Sequence, residues 1–401
     1  MQDHFDVVIV GAAVVGSAVA YFLAQDSGFG GSVLLLERDL SFQRCATARS
    51  VASIRHQFST PDNVRMSMFG THFLRSAGTL LALDGVAPDL AFREPGYLFL
   101  ATPAGHDVLQ ANHRVQRAEG ADIALLAPTD LATRFPWLNH QDLAGGALGL
   151  SGEGWLDAHA LMHGLRRKAV ALGAVVRQGE VVDVLRTPVG VSGMSGVSGV
   201  AGVVLADGSR IGCDWLINAA GTGATTLARQ AGIALPVQSR KRCVFHFSSP
   251  ARLPACPLVV DPTGLYFRPE GQGFLCGAAP PPDEDPECHD FDVPLHWFED
   301  RLWPALAHRV PGFEAARLHS AWAGHYDVNL LDDNVILGAH PALPRLLFAN
   351  GFSGHGVQQA PAVGRALAEL VVAGRYRTLD LSALGWQRVI DQRPLRETNV
   401  V

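Results

Sequence analysis

Apolar residues near the start of the chain form a long uncharged run that glycines divide into two parts. Residues 7–24, VVIVGAAVVGSAVAYFLA, carry no charge and are long enough to raise the possibility of a membrane span. The first part, DVVIV, suits a strand buried on both faces, and the part after Gly11 and Gly16 suits a helix. A second apolar run, SVLLLERD, ends at Glu37. The pattern therefore predicts a βαβ unit rather than a membrane helix.

The GAAVVG turn inside this unit has the features of a phosphate-binding turn. Gly11 permits a tight turn, Gly16 allows close packing of helix on strand, and the helix start offers free amides and partial positive charge. Glu37, about twenty residues further on, is placed to accept hydrogen bonds from a ribose diol. Ala13 replaces the middle glycine of GxGxxG and adds a methyl group where phosphate approaches. We expect a nucleotide-binding turn, with a plain buried βαβ unit as the alternative.

Helical and strand patterns continue through the middle of the chain. Residues 65–83 and 158–172 have helical apolar spacing, and residues 173–186 alternate like a strand with a hairpin partner around 203–211. The segment between them, VGVSGMSGVSGVAG (189–202), is rich in Gly, Ser and Val. Such a composition is typical of an enlarged surface hairpin loop.

The remaining segments predict two kinds of sheet. WLINAAGTGA repeats the sequence of strand and glycine turn, whereas residues 92–148 and 235–332 are typical of antiparallel strands. Near the end, RLLFAN predicts a strand, GFSGHG a turn, and VQQAPAVGRALAELVVAG a helix with Pro361 in its first turn and Gly374 as its cap. This second helix start is expected at the carboxyl edge of the sheet, where it can hold negative charge such as that of a reduced flavin.

Composition narrows the choice of partners. The chain has 401 residues, 48% of them hydrophobic and 17% charged, enough for a large core split into two domains. Its net charge of −6 contains no lysine or arginine block, so we expect a small-molecule substrate and no nucleic acid or anionic membrane as partner. The six cysteines form no CxxC pair and the MQDHFD start lacks a signal pattern. We expect reduced thiols, no metal, no integral membrane segment and a cytoplasmic location.

Several ordered segments resemble the D-amino acid oxidase-type (DAO) family of FAD-dependent oxidoreductases over essentially the whole chain. They are the GAAVVG turn with Glu37, ATARSVASIRHQFSTPDN, NAAG, the pair GLYFRP and GFLCGAA, AWAGHYD, and GFSGHGVQQAPAVG. QFSTPDN, RVPGFE and GRYRTLDLS resemble a subgroup of FAD-dependent oxidoreductase-domain proteins linked to complex I assembly. The chain is also similar to D-arginine dehydrogenase and the sarcosine oxidases. Together these motifs are specific for the family and much less so for the substrate.

The resemblance implies an α/β fold and a discontinuous division into domains. A Rossmann-like FAD-binding domain with a doubly wound parallel sheet is interrupted by an inserted, antiparallel-β-rich substrate (cap) domain. We place the FAD-binding domain at residues 1–88, 150–228 and 335–401, and the substrate domain at residues 89–149 and 229–334.

The resemblance also implies which residues contact FAD. They lie on the three glycine turns, at the end of the second strand, on the loop that crosses the flavin, and at the strand residue whose backbone meets adenine. These residues are Gly11, Ala13, Gly16, Glu37, Arg38, Arg49, Ser50, Val181, Ala220, Gly221, Gly354, His355, Gly356, Val357 and Gln358.

For the reaction, the family removes a hydride from the carbon next to an amine, with the substrate carboxylate anchored by an arginine. Arg55 corresponds to the carboxylate clamp of monomeric sarcosine oxidases, and Arg242 to an active-site arginine of the D-arginine dehydrogenase type. Tyr266 and Tyr326 correspond to cavity-lining positions, and His325 could accept the amine proton. The alternatives are surface ion pairing for Arg55, a solvated strand edge for Arg242, core packing for the tyrosines and a structural role for His325.

Two departures from the sarcosine oxidases bear on the electron acceptor. Gln358 stands where those enzymes have a helix lysine, and Leu275 stands where they place the lysine that promotes reaction with oxygen. Without that cation we expect a dehydrogenase or slow oxidase that passes electrons to a quinone or a carrier protein. The covalent-flavin cysteine also lacks a counterpart, because its segment reads AWAGHYD around Gly324, so FAD is expected to bind noncovalently.

Three functions remain open at this point. The first is an FAD-dependent dehydrogenase or oxidase of a small amine or amino acid, such as a sarcosine-like secondary amino acid or a D-amino acid. The second is a flavin-binding assembly or scaffold factor with low turnover. The third is oxidation of a 2-hydroxy acid, which an arginine clamp and a flavin would serve equally well.

Overall fold

The computed structural model describes residues 3–187 and 199–398. Within these ranges the strands are β1 His4–Val10, β2 Val33–Glu37, β3 Ser53–Ile54, β4 Tyr97–Ala101, β5 Ile123–Leu126, β6 Gly145–Gly149, β7 Gly154–Trp155, β8 Val175–Gln178, β9 Val181–Thr187, β10 Gly199–Leu205, β11 Arg210–Asn218, β12 Val237–Ser248, β13 Leu258–Val260, β14 Tyr266–Glu270, β15 Gly273–Gly277, β16 Arg317–Asn329, β17 Ile336–His340 and β18 Leu343–Asn350. The helices are α1 Val14–Gln25, α2 Pro61–Leu80, α3 His106–Ala118, α4 Pro128–Arg134, α5 Ala158–Ala171, α6 Ala224–Gln230, α7 Trp303–Arg309, α8 Gly356–Ala373 and α9 Trp386–Ile390. Most of the Gly/Ser/Val segment that we expected as a hairpin loop lies outside the described residues.

The first sheet is mostly parallel. Its strand order is β17-β18-β11-β1-β2-β8, with β9 and β10 joined through β11, and the pairs β1–β2, β1–β11, β11–β18 and β2–β8 are parallel. Helices α1, α2, α5 and α8 pack on one face, and α6 and α9 pack on the other. Because both faces are covered, the inner strands are continuous apolar runs such as VLLLE of β2. This is the doubly wound arrangement predicted from the sequence.

The second sheet has the order β16-β12-β15-β14-β13-β4-β6-β5 and is antiparallel except for the pair β4–β13. Its core is an aromatic cluster in which Phe245, Phe247 and Phe267 pack against the segment that carries Phe313. Residues 97–149 and 237–329 supply its strands, whereas residues 4–37, 175–218 and 336–350 supply the first sheet. The chain therefore alternates between the two sheets.

The Arg309 side chain, at the end of α7, connects three segments of the domain that contains the second sheet. The residue is 1% exposed, and its guanidinium pairs with Asp261, which is 2% exposed, and with both oxygens of Asp142 at 2.9 Å. Its Nη1 also donates to the carbonyl of Asn139. A buried guanidinium is tolerated here because most of its donors have charged or carbonyl acceptors.

Two local predictions from the sequence are wrong. Residues 173–186 do not form one strand, because the chain breaks at Gly179, whose N–H bonds the Glu37 carbonyl at 2.9 Å, and β8 and β9 pair with different neighbours. Pro361 does not lie in the first turn of its helix, because α8 begins at Gly356 and encloses the proline. The ring there removes one backbone donor from the second turn without ending the helix.

Residues near the end of the described chain fasten the loop that precedes α2. The Glu397 carboxylate accepts hydrogen bonds from the Ser59 N–H at 2.5 Å and from the Ser59 hydroxyl at 2.7 Å. It also accepts bonds from Thr60 and, at 2.6 Å, from the Asn63 amide. Three polar residues of the QFSTPDN motif, Ser59, Thr60 and Asn63, therefore hold this loop in place. None of the helices in residues 3–187 and 199–398 is long and apolar enough to cross a bilayer.

Candidate cofactor and active site

A cleft of about 630 Å³ opens at the carboxyl ends of β1, β2, β11 and β18. This is the edge of a doubly wound sheet where ligands bind, and the volume lies within the usual range for small-molecule sites. Many of the expected cofactor and active-site residues line it: Gly11, Ala13, Glu37, Arg38, Ser50, Ala220, Gly221, His325, Tyr326, Gly354, Gly356 and Val357.

The β1–α1 turn leaves the first amides of α1 available to an anion. Gly11 has φ +99°, and a Cβ there would lie 2.3 Å from the Ala219 carbonyl oxygen, so only glycine fits. Ala13 is the N-cap, with φ −71° and ψ −166°, which an alanine adopts without strain. Ala13 offers no side-chain cap and the first turn of α1 has no acidic residue, while the Val14 N–H donates a long hydrogen bond of 3.4 Å to the Thr47 hydroxyl, which a charged acceptor can replace. The helix start can therefore receive a pyrophosphate.

Glu37 is held in the cleft by two backbone amides. Its Oε2 accepts from the Ala12 N–H at 3.0 Å, and its Oε1 accepts from the Asp39 N–H at 3.1 Å. Both bonds fix the orientation of the carboxylate. Each oxygen keeps a further acceptor site, as a ribose diol requires.

A second uncapped helix start, that of α8, faces the same cleft. His355 is its N-cap, and α8 too lacks a side-chain cap in the described structure and an acidic residue in its first turn. Gly354 precedes it with φ +99°, and a Cβ there would lie 2.4 Å from the ring of Tyr326. The dipoles of α1 and α8 therefore both present positive ends to one cleft.

Some expected cofactor residues do not line the cleft. Gly16, Arg49, Val181, His355 and Gln358 are absent from its walls, and Glu180, next to Val181, lines it instead. Arg49 donates to the Gln43 carbonyl at 2.7 Å and the Ala323 carbonyl at 2.9 Å, and so connects its loop to β16. Gln358 is buried and does not line the cleft.

Gln358 connects the start of α8 to the loop that carries Arg55. Its Oε1 accepts from the Arg55 backbone N–H at 2.9 Å and from the Ser67 hydroxyl at 3.0 Å. A lysine here would place three N–H donors and a charge against those donors. The Gln358 side chain therefore supplies the acceptor that these two donors need, and it fixes the backbone at Arg55.

Arg55 is a half-buried guanidinium with no acidic side chain bonded to it in the part of the chain that the structure describes. Its Nη2 lies 2.9 Å from His355 Nε2, and its Cζ lies 4.5 and 5.3 Å from the ring centres of Phe58 and Phe99. Burial and the neighbouring guanidinium lower the pKa of His355 to about 3, so the imidazole is neutral and accepts from Arg55. Aromatic faces and a neutral acceptor therefore surround Arg55, and no counter-ion is bonded to it in the described residues.

The space beside Arg55 is small in this conformation. A cavity of about 10 Å³ adjoins Arg55, Gln57 and Phe99, which is room for one water molecule. A carboxylate at Arg55 therefore requires the guanidinium or His355 to move. The exchange replaces a neutral acceptor with a charged one, which favours it electrostatically.

Three tyrosines surround this region, two expected and one missed. Burial raises the pKa of Tyr97, Tyr266 and Tyr326, and Arg55 opposes the shift at Tyr97 and Tyr326. All three are therefore protonated phenols that can donate. Tyr97 was not identified from the sequence because its strand, YLFLA, is a continuous buried apolar run with no polar signal. Tyr326 also lines the cofactor cleft.

Arg242 does not have a free guanidinium, and it is not the solvated strand-edge residue that we considered as the alternative. Its Nη1 and Nη2 bind the two carboxylate oxygens of Asp285 at 2.7 and 2.8 Å, and both side chains are mostly buried. Its Cζ lies 5.4 Å from the ring centre of Tyr326. Asp285 compensates this charge, so Arg55 is the stronger carboxylate anchor of the two.

His325 lies at the cleft with one ring nitrogen unused. The residue is 6% exposed, its ring packs edge-on against Phe291 at 4.5 Å, and its Nε2 has no partner in the described residues. Burial lowers its pKa, so the ring is neutral at pH 7. A neutral imidazole with a free nitrogen is a competent proton acceptor.

The buried carboxyl group of Glu153, near Arg55, allows this region to be tested through the pH dependence of stability. Burial raises the pKa of Glu153 from 4.5 to about 7, while Gln57 and the His56 N–H bond it. The folded state thus holds a proton that the unfolded state releases, so this contribution to stability is complete below pH 4.5 and lost as pH rises to about 7. We expect Glu153→Gln to remove that loss. Urea unfolding between pH 5 and 8 measures it, with the exposed Glu314→Gln as control; parallel curves for wild type and Glu153→Gln would contradict the assignment.

The residues present fit FAD. Two uncapped helix starts match the pyrophosphate and the electron-rich edge of the flavin, and Glu37 matches a ribose. Gly11 forms a turn so close to the Ala219 carbonyl that any side chain there would move the first amides of α1. The described residues contain no cluster of three or more His, Cys, Asp or Glu side chains able to hold a metal. The fold and the cleft together define an FAD-binding α/β protein with a separate β-rich domain.

Comparison with known proteins assigns the family. Residues 6–370 match the DAO family, described as FAD dependent oxidoreductase, and the chain belongs to it. It is 39% identical over 428 residues to FAD-dependent oxidoreductase domain-containing protein 1 of Xenopus laevis, covering 100% of this chain and 85% of that protein. It is 26% identical over 379 residues to glycine oxidase of Geobacillus kaustophilus, covering 92% and 94%.

Solved structures show the same fold. L-proline dehydrogenase from P. horikoshii matches with a TM-score of 0.84 at 22% identity, covering 98% of this chain and 99% of that one. Glycine oxidase from Geobacillus kaustophilus matches with a TM-score of 0.78 at 23% identity, covering 96% and 98%. The predicted fold class, a parallel FAD-binding sheet with a largely antiparallel substrate-domain sheet, is confirmed.

Proposed function

We propose that this FAD-dependent oxidoreductase oxidises the C–N bond of a small amine or amino acid that carries a single carboxylate. The observation that carries the proposal is Arg55, a half-buried cation whose nearest acceptor is the neutral His355. A monocarboxylate substrate supplies the missing counter-charge. The pairing of Arg242 with Asp285 removes the second cation that a dicarboxylate would need.

The residues of this chain have separate roles in the proposed reaction. FAD held in the cleft would supply the acceptor for the hydride that leaves the carbon next to the amine. Arg55 holds the carboxylate, and the phenols of Tyr97, Tyr266 and Tyr326 limit how the substrate can turn. His325, neutral and with Nε2 free of described partners, accepts the proton of the ammonium group.

We further propose that FAD is bound noncovalently. The cleft contains Cys45, whose thiol pKa is raised by burial, so the reactive thiolate is disfavoured. Gly324 has no side chain with which to form a bond. Leu275, 3% exposed, puts an apolar side chain where the resemblance implied a lysine in oxidases, which supports a dehydrogenase over a fast oxidase.

The experiment is anaerobic reduction of the holoprotein by a panel of secondary amino acids, D-amino acids and 2-hydroxy acids, followed as bleaching of the flavin absorbance. We expect bleaching by a monocarboxylate amine. Bleaching by hydroxy acids alone would replace the proposal with the 2-hydroxy acid function. If no compound bleaches the flavin, the low-turnover assembly factor is the better description.

Arg55→Ala separates the clamp from the cofactor site. We expect the apparent KM for the bleaching substrate to rise about 10- to 100-fold, because a charged hydrogen-bonded pair is lost, while FAD content stays unchanged. The matched control is Arg65→Ala. Arg65 lies on α2 and pairs with Glu119 at the protein surface, so its loss should leave KM unaltered. Steady-state kinetics of both variants decide the point; equal KM values would remove Arg55 from the site.

A further inference from the structure

A second cavity, of about 810 Å³, adjoins the cofactor cleft and has no role in the function proposed above. The two spaces share Thr47 and Ser50 in their walls. The other walls come from residues 155–159 and from strands β14, β15 and β16. The cavity is therefore large enough for a small molecule and separated from the cleft by one loop.

Arg268 is a buried cation in the wall of this cavity. It is 5% exposed and lies directly opposite Leu275 in the β14–β15 pair, so both side chains are on one face of the sheet. Its Nη1 pairs with Glu270, and its Nη2 donates to the Val51 carbonyl at 3.2 Å. Its Nε–H is a buried donor with no acceptor in the described residues. Its Nη1 also donates to the Pro269 carbonyl at 2.9 Å, so the described residues use both Nη1 hydrogens but only one of the two on Nη2, and the guanidinium can take one further acceptor there.

Two half-buried indoles, Trp155 and Trp322, line the same cavity. The Arg268 Cζ lies 4.9 Å from the ring centre of Trp155. Trp322 is fixed by its Nε1–H bond to the Arg49 carbonyl at 3.0 Å. Aromatic faces beside a guanidinium suit a planar ring that carries carbonyl oxygens.

We propose that this cavity binds a quinone that accepts the electrons from the bound FAD. The inference rests on the proposed function, because it names the electron acceptor of the same enzyme. In the net reaction the C–H and N–H bonds of the amine break and an imine forms. The two electrons pass through FAD to the quinone, which also gains two protons and leaves as a hydroquinone.

A quinone fits these walls better than dioxygen does. Dioxygen needs little volume, whereas this cavity has about 810 Å³ and two aromatic walls. Stabilising a developing superoxide requires uncompensated positive charge, but Glu270 already pairs with Arg268. A fixed N–H donor beside an aromatic face instead matches a neutral carbonyl.

The test isolates reoxidation from amine oxidation. The holoprotein is photoreduced anaerobically without any amine and mixed with 2,3-dimethoxy-5-methyl-1,4-benzoquinone, and the return of the flavin absorbance is timed. We expect saturable reoxidation in the wild type. Ser320→Trp, which fills the cavity from an exposed position on β16, should lower its second-order rate constant about tenfold or more, and Ser320→Ala should match the wild type.

Two further measurements keep the outcome decisive. Arg268→Gln should weaken the quinone dependence in the same way, and equilibrium dialysis of the quinone against oxidised holoprotein should show single-site binding that Ser320→Trp abolishes. Equal reoxidation and binding in wild type and Ser320→Trp would overturn the proposal. So would faster reoxidation by dioxygen than by the quinone, which would make this cavity an oxygen route. Because no amine is present, failure of the substrate panel leaves this result intact.

Discussion

Gly11→Ala is expected to yield a protein that purifies without FAD. The added Cβ would lie 2.3 Å from the Ala219 carbonyl oxygen, and φ at this position is +99°, so the β1–α1 turn must move. Left-handed backbone strain and the steric clash together should cost at least about 3 kcal/mol in the folded state. The moved turn also displaces the amides of α1 that would hold the pyrophosphate. The ratio of flavin to protein absorbance and the thermal unfolding of the purified protein measure both effects.

Gly30→Ala is the matched control for this change. Gly30 belongs to the turn that follows α1, and a Cβ there would have no atom within 4 Å. This variant should keep its flavin and unfold within about 0.5 kcal/mol of the wild type. Full flavin content in Gly11→Ala would falsify the assignment of this turn to the cofactor.

Arg309→Ala should destabilise the substrate domain by about 3–5 kcal/mol, because it leaves Asp261 as a buried, unpaired charge. The loss should appear in urea unfolding as a lower midpoint. Arg309 also lowers the pKa of Asp142 to about 2. This contribution to stability is present above about pH 4 and lost as pH falls toward 2, so the variant should lack that part of the acid dependence.

Two comparisons make the Arg309 prediction specific. Arg65→Ala removes an ion pair whose arginine is 49% exposed and should cost at most about 1 kcal/mol. Asp261→Asn combined with Arg309→Met removes both buried charges and should recover part of the lost stability. A loss below about 1 kcal/mol for Arg309→Ala would show that the burial of this network is not what stabilises the domain.

The nucleotide-binding part of the fold could be predicted because its determinants are local. The GAAVVG turn lies between a β-branched strand and an alanine-rich helix, and Glu37 ends the next strand, so one short segment specifies a βαβ unit. The turn before α8 could be predicted for the same reason, because a strand and a helix pattern lie directly on either side of it. The structure brings both turns to one cleft.

The active-site details could not be predicted in the same way because they depend on contacts between distant segments. Asp285, which neutralises Arg242, lies on a stretch without regular structure and has no pattern that marks it. Nothing in the GLYFRP segment distinguishes Arg268 from other strand residues. Only the pairing of β14 with β15 shows that it lies opposite Leu275. Sequence periodicity specifies which face a residue occupies, but not which charged groups meet there.

The strand order of the first sheet has a consequence for the order in which the protein is built. β1 pairs with β11, and β11 pairs with β18, yet these strands span residues 4–10, 210–218 and 343–350. At a synthesis rate of about 5–20 residues per second, β18 leaves the ribosome on the order of tens of seconds after β1. Until β18 and α8 are made, β11 lacks its neighbour on that side and the cleft lacks the wall that α8 provides. FAD can therefore be enclosed only late in biosynthesis, after β18 and α8 have joined the part of the fold made first.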